Sequence, residues 1–191
     1  MKTAQRRSPL SYIPGYENNA VLQLIVACCT GFISFHLCRV VLLIVNAQPE
    51  TFPHIFTQNL SLPVLERFSH KWWTIFTYGW IHNGFWELFS NMIWLYAFGS
   101  VVQMLVGYKQ IIPIFIFSMG VGGVFYELCQ LIPGQAFATF PYLLGAQAAI
   151  TGITTAALTI APNYRFYIGD RFSIPMAVLA IIFFALMVMN S

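Results

Sequence analysis

The sequence predicts an all-α membrane protein, a polytopic helical bundle with about five transmembrane helices. Composition points there first: 58% of the 191 residues are apolar and only 8% are charged, whereas soluble domains carry roughly a quarter charged residues. Long apolar stretches then recur over 20–45, 88–106, 111–131, 142–161 and 172–189. Each has about the 20 residues that a helix needs to cross the hydrocarbon layer. The third observation is where the basic residues fall. With the amino terminus cytoplasmic, the inner segments hold Lys2, Arg6, Arg7, Lys109, Arg165 and Arg171, and the outer ones hold only Arg67 and Lys71. That bias orients membrane proteins. The net charge of +3 is thus a topology signal; membrane lipids are the expected surroundings, and no nucleic-acid partner is expected.

Residues 1–19 are polar with Pro9, Pro14 and Gly15, and read as a cytoplasmic tail ahead of a membrane domain over 20–191. The first span carries His36 and Arg39 toward its middle. Arg39 either pairs with Glu127 of the third span or snorkels toward the surface. Cys28, Cys29, Cys38 and Cys129 sit at apolar depth without metal-site spacing, so packing is their expected role, and no metal or cofactor is expected. The outer loop, 46–87, is rich in aromatics in its second half, with Trp72, Trp73, Phe76 and Trp80. Such rings favour the headgroup layer, which predicts a membrane-associated loop rather than a soluble lid. Short connections at Gly107-Tyr108-Lys109, Pro133-Gly134-Gln135 and Pro162-Asn163-Tyr164-Arg165 make neighbouring helices antiparallel. A last span over 172–189 leaves Ser191 outside.

The fourth span carries a packing signal. At about 100° per residue, Gly145, Ala149, Gly152 and Ala156 share one narrow stripe of small residues that lets two helix backbones approach closely. Gly120, Gly122 and Gly123 suggest a second close crossing. Gln147, Thr151 and Thr154 fall opposite the stripe, while Glu87 and Asn91, one turn apart, share a face of the second span. With His82 at the loop end, Glu87, Asn91, Gln147 and Thr151 make a candidate polar cavity, since ionisable groups at membrane depth mark functional sites by default. A purely structural reading stands beside it. Polar side chains between membrane helices hold bundles together at about 0.6 kcal/mol each, Thr bonds its own helix, and a carboxylate at a helix start suits the dipole.

Taken together, Trp73-Thr74-Ile75-Phe76-Thr77-Tyr78, then His82, then Asn91 through Gly99, and finally Leu144-Gly145-Ala146-Gln147 resemble the rhomboid intramembrane serine proteases, over about residues 62–165. The resemblance implies a partly embedded first outer loop and a central fourth helix. It also implies a serine nucleophile after Gly-Ala, a His base on the last helix, and a His and an Asn that hold the oxyanion. Asn91 matches that Asn. The nucleophile position is Gln147, whose carboxamide has no nucleophilic oxygen. Glu87 stands where many members carry the oxyanion His, and an anion there repels developing negative charge. No His follows His82, and the sequence stops before the family's sixth helix. Thr74 replaces the Arg that often follows the loop Trp, and Gln103 replaces an acidic residue near the inner end of the second helix. No catalytic residue is therefore expected.

Three readings follow. The first is a rhomboid-like integral membrane pseudoprotease that binds transmembrane helices of client proteins, as inactive members of the superfamily do. The second is a truncated form of a rhomboid serine endopeptidase. The third is an unrelated small membrane transporter, which the lack of inverted repeats and paired broken helices disfavours.

Overall fold

The computed structural model describes residues 17–48, 50–132, 142–168 and 172–189. The tail through Tyr16 and the connection at 133–141 lie outside the described residues. Five apolar helices make the bundle: α1 (Ala20–Ile44), α2 (Phe85–Val106), α3 (Ile111–Cys129), α4 (Gln147–Ile160) and α5 (Met176–Met189). Among the described residues, three helices, Ala20–Ile44, Phe85–Val106 and Tyr108–Cys129, are long and apolar enough to cross a membrane; the last of these is α3 with the 3-10 turn that precedes it.

α1 opens on Asn19, whose side-chain oxygen accepts from the Leu22 N–H at 3.0 Å, satisfying one of the free donors of the first turn. Gln103, near the end of α2, locks that cap. Its Oε1 accepts from the Val21 N–H at 3.2 Å, and its Nε2 donates to Asn19 Oδ1 at 3.2 Å. α1 ends in a Schellman arrangement: Asn46 takes φ 53°, its N–H donates to Leu43, and the Ala47 N–H donates to Leu42. Asn tolerates this left-handed conformation. Arg39 stands 6.0 Å from the centre of the Phe52 ring, whereas both carboxylate oxygens of buried Glu127 lack a hydrogen-bond partner. The Arg39–Glu127 pair is not formed.

The outer loop is folded. Helical turns at Gln58–Leu60, Leu65–Phe68 and Thr74–Thr77 lead into a 3-10 turn, Tyr78–Trp80. Side chains tie the turns together: Lys71 Nζ donates to Gln58 O at 2.8 Å, Trp73 Nε1 to Asn59 O at 3.0 Å and Thr77 Oγ1 to Leu60 O at 2.8 Å. β1 (Leu62–Pro63) pairs antiparallel with β2 (Tyr142–Leu143), Leu62 opposite Leu143. The inner side of the loop is buried through Leu62, Thr74 and Tyr78, while Trp72, Trp73, Phe76 and Trp86 are exposed. Exposed aromatics around a buried base are what an interfacial loop requires. The Tyr78 hydroxyl donates to Met119 O at 2.7 Å, fastening the loop to α3; burial pushes that phenol up from its ordinary value.

α4 packs against α2, α3 and α5 and touches the Tyr78–Trp80 turn. A side chain at Gly152 would run into Ser118 of α3, and one at Gly122 of α3 into Ala148. The small residues of both helices thus serve one crossing between α3 and α4. Gly123 instead accommodates Ile75 and Leu62 of the loop, and Gly120 faces open space. α5 meets α2 through aromatic rings, with Phe183 at 5.6 Å from Trp94 and 6.1 Å from Phe98.

Two expected helices are shorter than their apolar stretches. α4 and α5 have 14 residues each, about 21 Å at the helical rise. Over 142–161, the chain enters as β2 and bends at Gly145, φ 98°, before the helix begins. Gly145 is therefore not on the helical stripe with Ala149, Gly152 and Ala156. Over 172–189, β4 (Phe172–Pro175) pairs with β3 (Arg165–Ile168) as a hairpin. Aromatic and β-branched residues favour these strands, and Pro175 immediately precedes α5.

Candidate functional site

The candidate site forms where β2 turns into α4. The left-handed Gly145 lets the chain bend inward: its N–H donates to Tyr78 O at 3.0 Å, and the Ala146 N–H points at His82 Nε2 at 3.4 Å. A Cβ at Gly145 would meet the Glu87 carboxylate and lie 3.8 Å from Asn91 Nδ2. Only glycine satisfies both the backbone angle and the space. His82, Glu87 and Asn91 thus surround Gly145 and Ala146, immediately before Gln147.

Each side chain is positioned by its element. The loop turn ends at Trp80 and carries His82 into the interior, where it is fully buried. Glu87, in the first turn of α2, is half-buried, and its Oε2 accepts the Asn83 N–H at 3.2 Å. Asn91, one turn deeper, is buried with its Nδ2 unpartnered. Burial lowers the His82 pKa to about 4, and the Trp80 backbone opposes the shift only in part. The imidazole is therefore neutral near pH 7. With Nε2 accepting from Ala146, the proton sits on Nδ1, an atom without a well-formed hydrogen bond.

Gln147 is the first residue of α4 and half-buried. No hydrogen bond holds its carboxamide among the described residues. Thr151 stands apart from this group. Its hydroxyl donates to Gln147 O at 2.8 Å and lies 3.6 Å from Met187 Sδ of α5, so it is satisfied within its helix and faces α5. Thr154 is fully buried with its hydroxyl unpartnered. A cavity of about 360 Å³ lies elsewhere, between α1 and the outer loop.

Chemically, the cluster presents a neutral imidazole, the Asn91 carboxamide and the Glu87 carboxylate around Gly145 and Ala146, with Gln147 following at the helix start. It has hydrogen-bond donors and acceptors, and the position following Gly145-Ala146 lacks a hydroxyl or thiol. Sequence reasoning missed the role of Gln103 in clamping the start of α1 and the role of Gly145 as the bend that admits Glu87. Its positive φ was hidden by the apparent continuity of the apolar stretch.

The family model of the rhomboid domain matches residues 69–190, spanning the second half of the outer loop and helices α2 to α5. A comparison with curated proteins gives no significant match. The match, the helical membrane bundle and the Trp-Thr-Tyr, Asn and Gly-Ala positions agree: the chain is an integral membrane protein and belongs to the rhomboid family.

Proposed function

We propose that this rhomboid-family protein is proteolytically inactive and binds transmembrane helices of other membrane proteins. The observation that carries the reading is Gln147 at the start of α4, directly after Gly145-Ala146. A carboxamide cannot attack a peptide carbonyl, and losing a nucleophile alone removes several orders of magnitude of rate from a serine hydrolase. Glu87 supports the same reading, because its carboxylate lies against Gly145 where a developing oxyanion needs donors.

What remains is suited to recognition. Asn91 Nδ2 is an unpartnered donor and His82 Nδ1 lacks a well-formed hydrogen bond, while no hydrogen bond holds the Gln147 carboxamide among the described residues. A client helix that brings a polar side chain or an unwound carbonyl to this point supplies the missing partners, and each such bond contributes about 0.6 kcal/mol in a membrane.

The test places a photo-crosslinking amino acid at position 147 in the full chain, co-reconstituted with a panel of single-span model substrates in liposomes. Crosslinks to helices that carry polar residues at mid-membrane, with every substrate left uncleaved, are expected. Cleavage by the wild-type protein, or covalent labelling by a fluorophosphonate above a denatured control, would overturn the inactive assignment. Crosslinks that ignore the polarity of the helix would overturn the recognition.

A further inference from the structure

The cavity of about 360 Å³ between α1 and the outer loop is lined by Phe35, Arg39, Leu42, Gln48, Phe52 and Asn83 among others. Arg39 lies five residues before the loop-side end of α1, about 8 Å along the axis. The helix has 25 residues, about 37 Å, against a hydrocarbon layer of about 30 Å. Arg39 therefore stands near the boundary between hydrocarbon and headgroups.

Its guanidinium is only partly committed. The Phe52 ring lies 6.0 Å from it, a cation–π contact that covers one face and leaves the in-plane N–H donors free. Among the described residues, no carboxylate lies within ion-pair distance and no acceptor takes those donors. Arg39 is exposed, so its free donors are open to an anion at the level of the headgroups. The fork of N–H groups matches two oxygens of a phosphate, and the polar residues Gln48 and Asn83 line the same cavity.

The walls say what the phosphate is attached to. The cavity is at the small end of ligand sites, enough for a headgroup. Leu43 lines it and is also 64% exposed, next to exposed Val40 and Ile44. Apolar chains leaving the cavity thus continue along the outer end of α1. We propose that this cavity binds the phosphate of a phospholipid through Arg39, with the acyl chains lying along α1.

The full chain, delipidated in detergent, is examined by native mass spectrometry with phosphatidylglycerol, with diacylglycerol of the same chains, and with inorganic phosphate. Phosphatidylglycerol is expected to remain bound, diacylglycerol to be lost, and millimolar inorganic phosphate to leave the lipid in place. Arg39→Leu should lower lipid occupancy at least tenfold, with Arg39→Lys in between. Unchanged occupancy in Arg39→Leu, or retention of diacylglycerol equal to that of the phospholipid, would overturn the phosphate site. Full displacement by inorganic phosphate would overturn the lipid assignment. Should Arg39→Leu fail to fold, Arg39→Lys and Gln48→Leu decide: a several-fold loss in both supports the site, and no loss in either overturns it.

Discussion

His82 shows how one buried side chain writes a pH dependence into the molecule. Its pKa falls from 6.5 to about 4 because burial disfavours the imidazolium. The unfolded chain therefore binds more protons than the folded one between these values, and stability rises with pH across that window. The contribution is fully present above pH 6.5 and is lost as pH falls toward 4, by about 3 kcal/mol in the limit. Melting of the detergent-solubilised protein should fall over this range more steeply than in His82→Gln, which keeps an acceptor for the Ala146 N–H; parallel curves would refute the assignment. His82 was legible in the sequence as a member of the candidate polar cavity at the end of the loop. Its partner was not, because Ala146 lies 64 residues away. Gln103 was visible only as a departure from a family pattern, since its bonds to Val21 and Asn19 span 82 and 84 residues.

At the scale of elements, apolar length located all five helices but could not place two of their starts. Hydropathy does not distinguish an extended apolar strand from a helix, so β2 and β4 were absorbed into the fourth and fifth stretches. The small-residue stripe was better evidence, because it predicts contact rather than conformation. Gly152 faces Ser118 so closely that a Cβ has no room. Gly152→Leu should therefore destabilise the protein by about 1–3 kcal/mol through overpacking, despite leucine's better helix propensity. Thr155→Leu, at an exposed position on the same helix, should be close to neutral. Gly152→Ala should also lose stability and regain part of it with Ser118→Gly, a coupling that thermal melts of the single and double variants measure. Additive effects would mean that the two residues do not touch.

Across the whole molecule, the described residues combine three long apolar helices with two of 14 residues, and this raises the question of which of them cross. A 21 Å helix falls short of an average hydrocarbon layer, yet neither short helix stands alone. β2 extends the chain ahead of α4 and pairs with β1 in the loop before α2, and the β3–β4 hairpin precedes α5. Both short helices are packed against longer ones, α4 against α2 and α3 and α5 against α2 through Phe183, which predicts that each crosses within a depth that the bundle itself sets. The basic residues give an expectation for the sides. Lys109 follows α2 and Arg165 follows α4, with Arg67 and Lys71 in the loop between α1 and α2; the positive-inside bias predicts that the former connections are cytoplasmic. A reporter active only in the cytoplasm should therefore function at the amino terminus, after Lys109 and after Asn163, and fail after Ile132 and after Met189. Activity after both Asn163 and Met189 would show that α5 does not cross. Activity after Ile132 as well as Lys109 would show the same of α3, and either result would replace the alternating bundle with one in which that helix re-enters or lies at the surface.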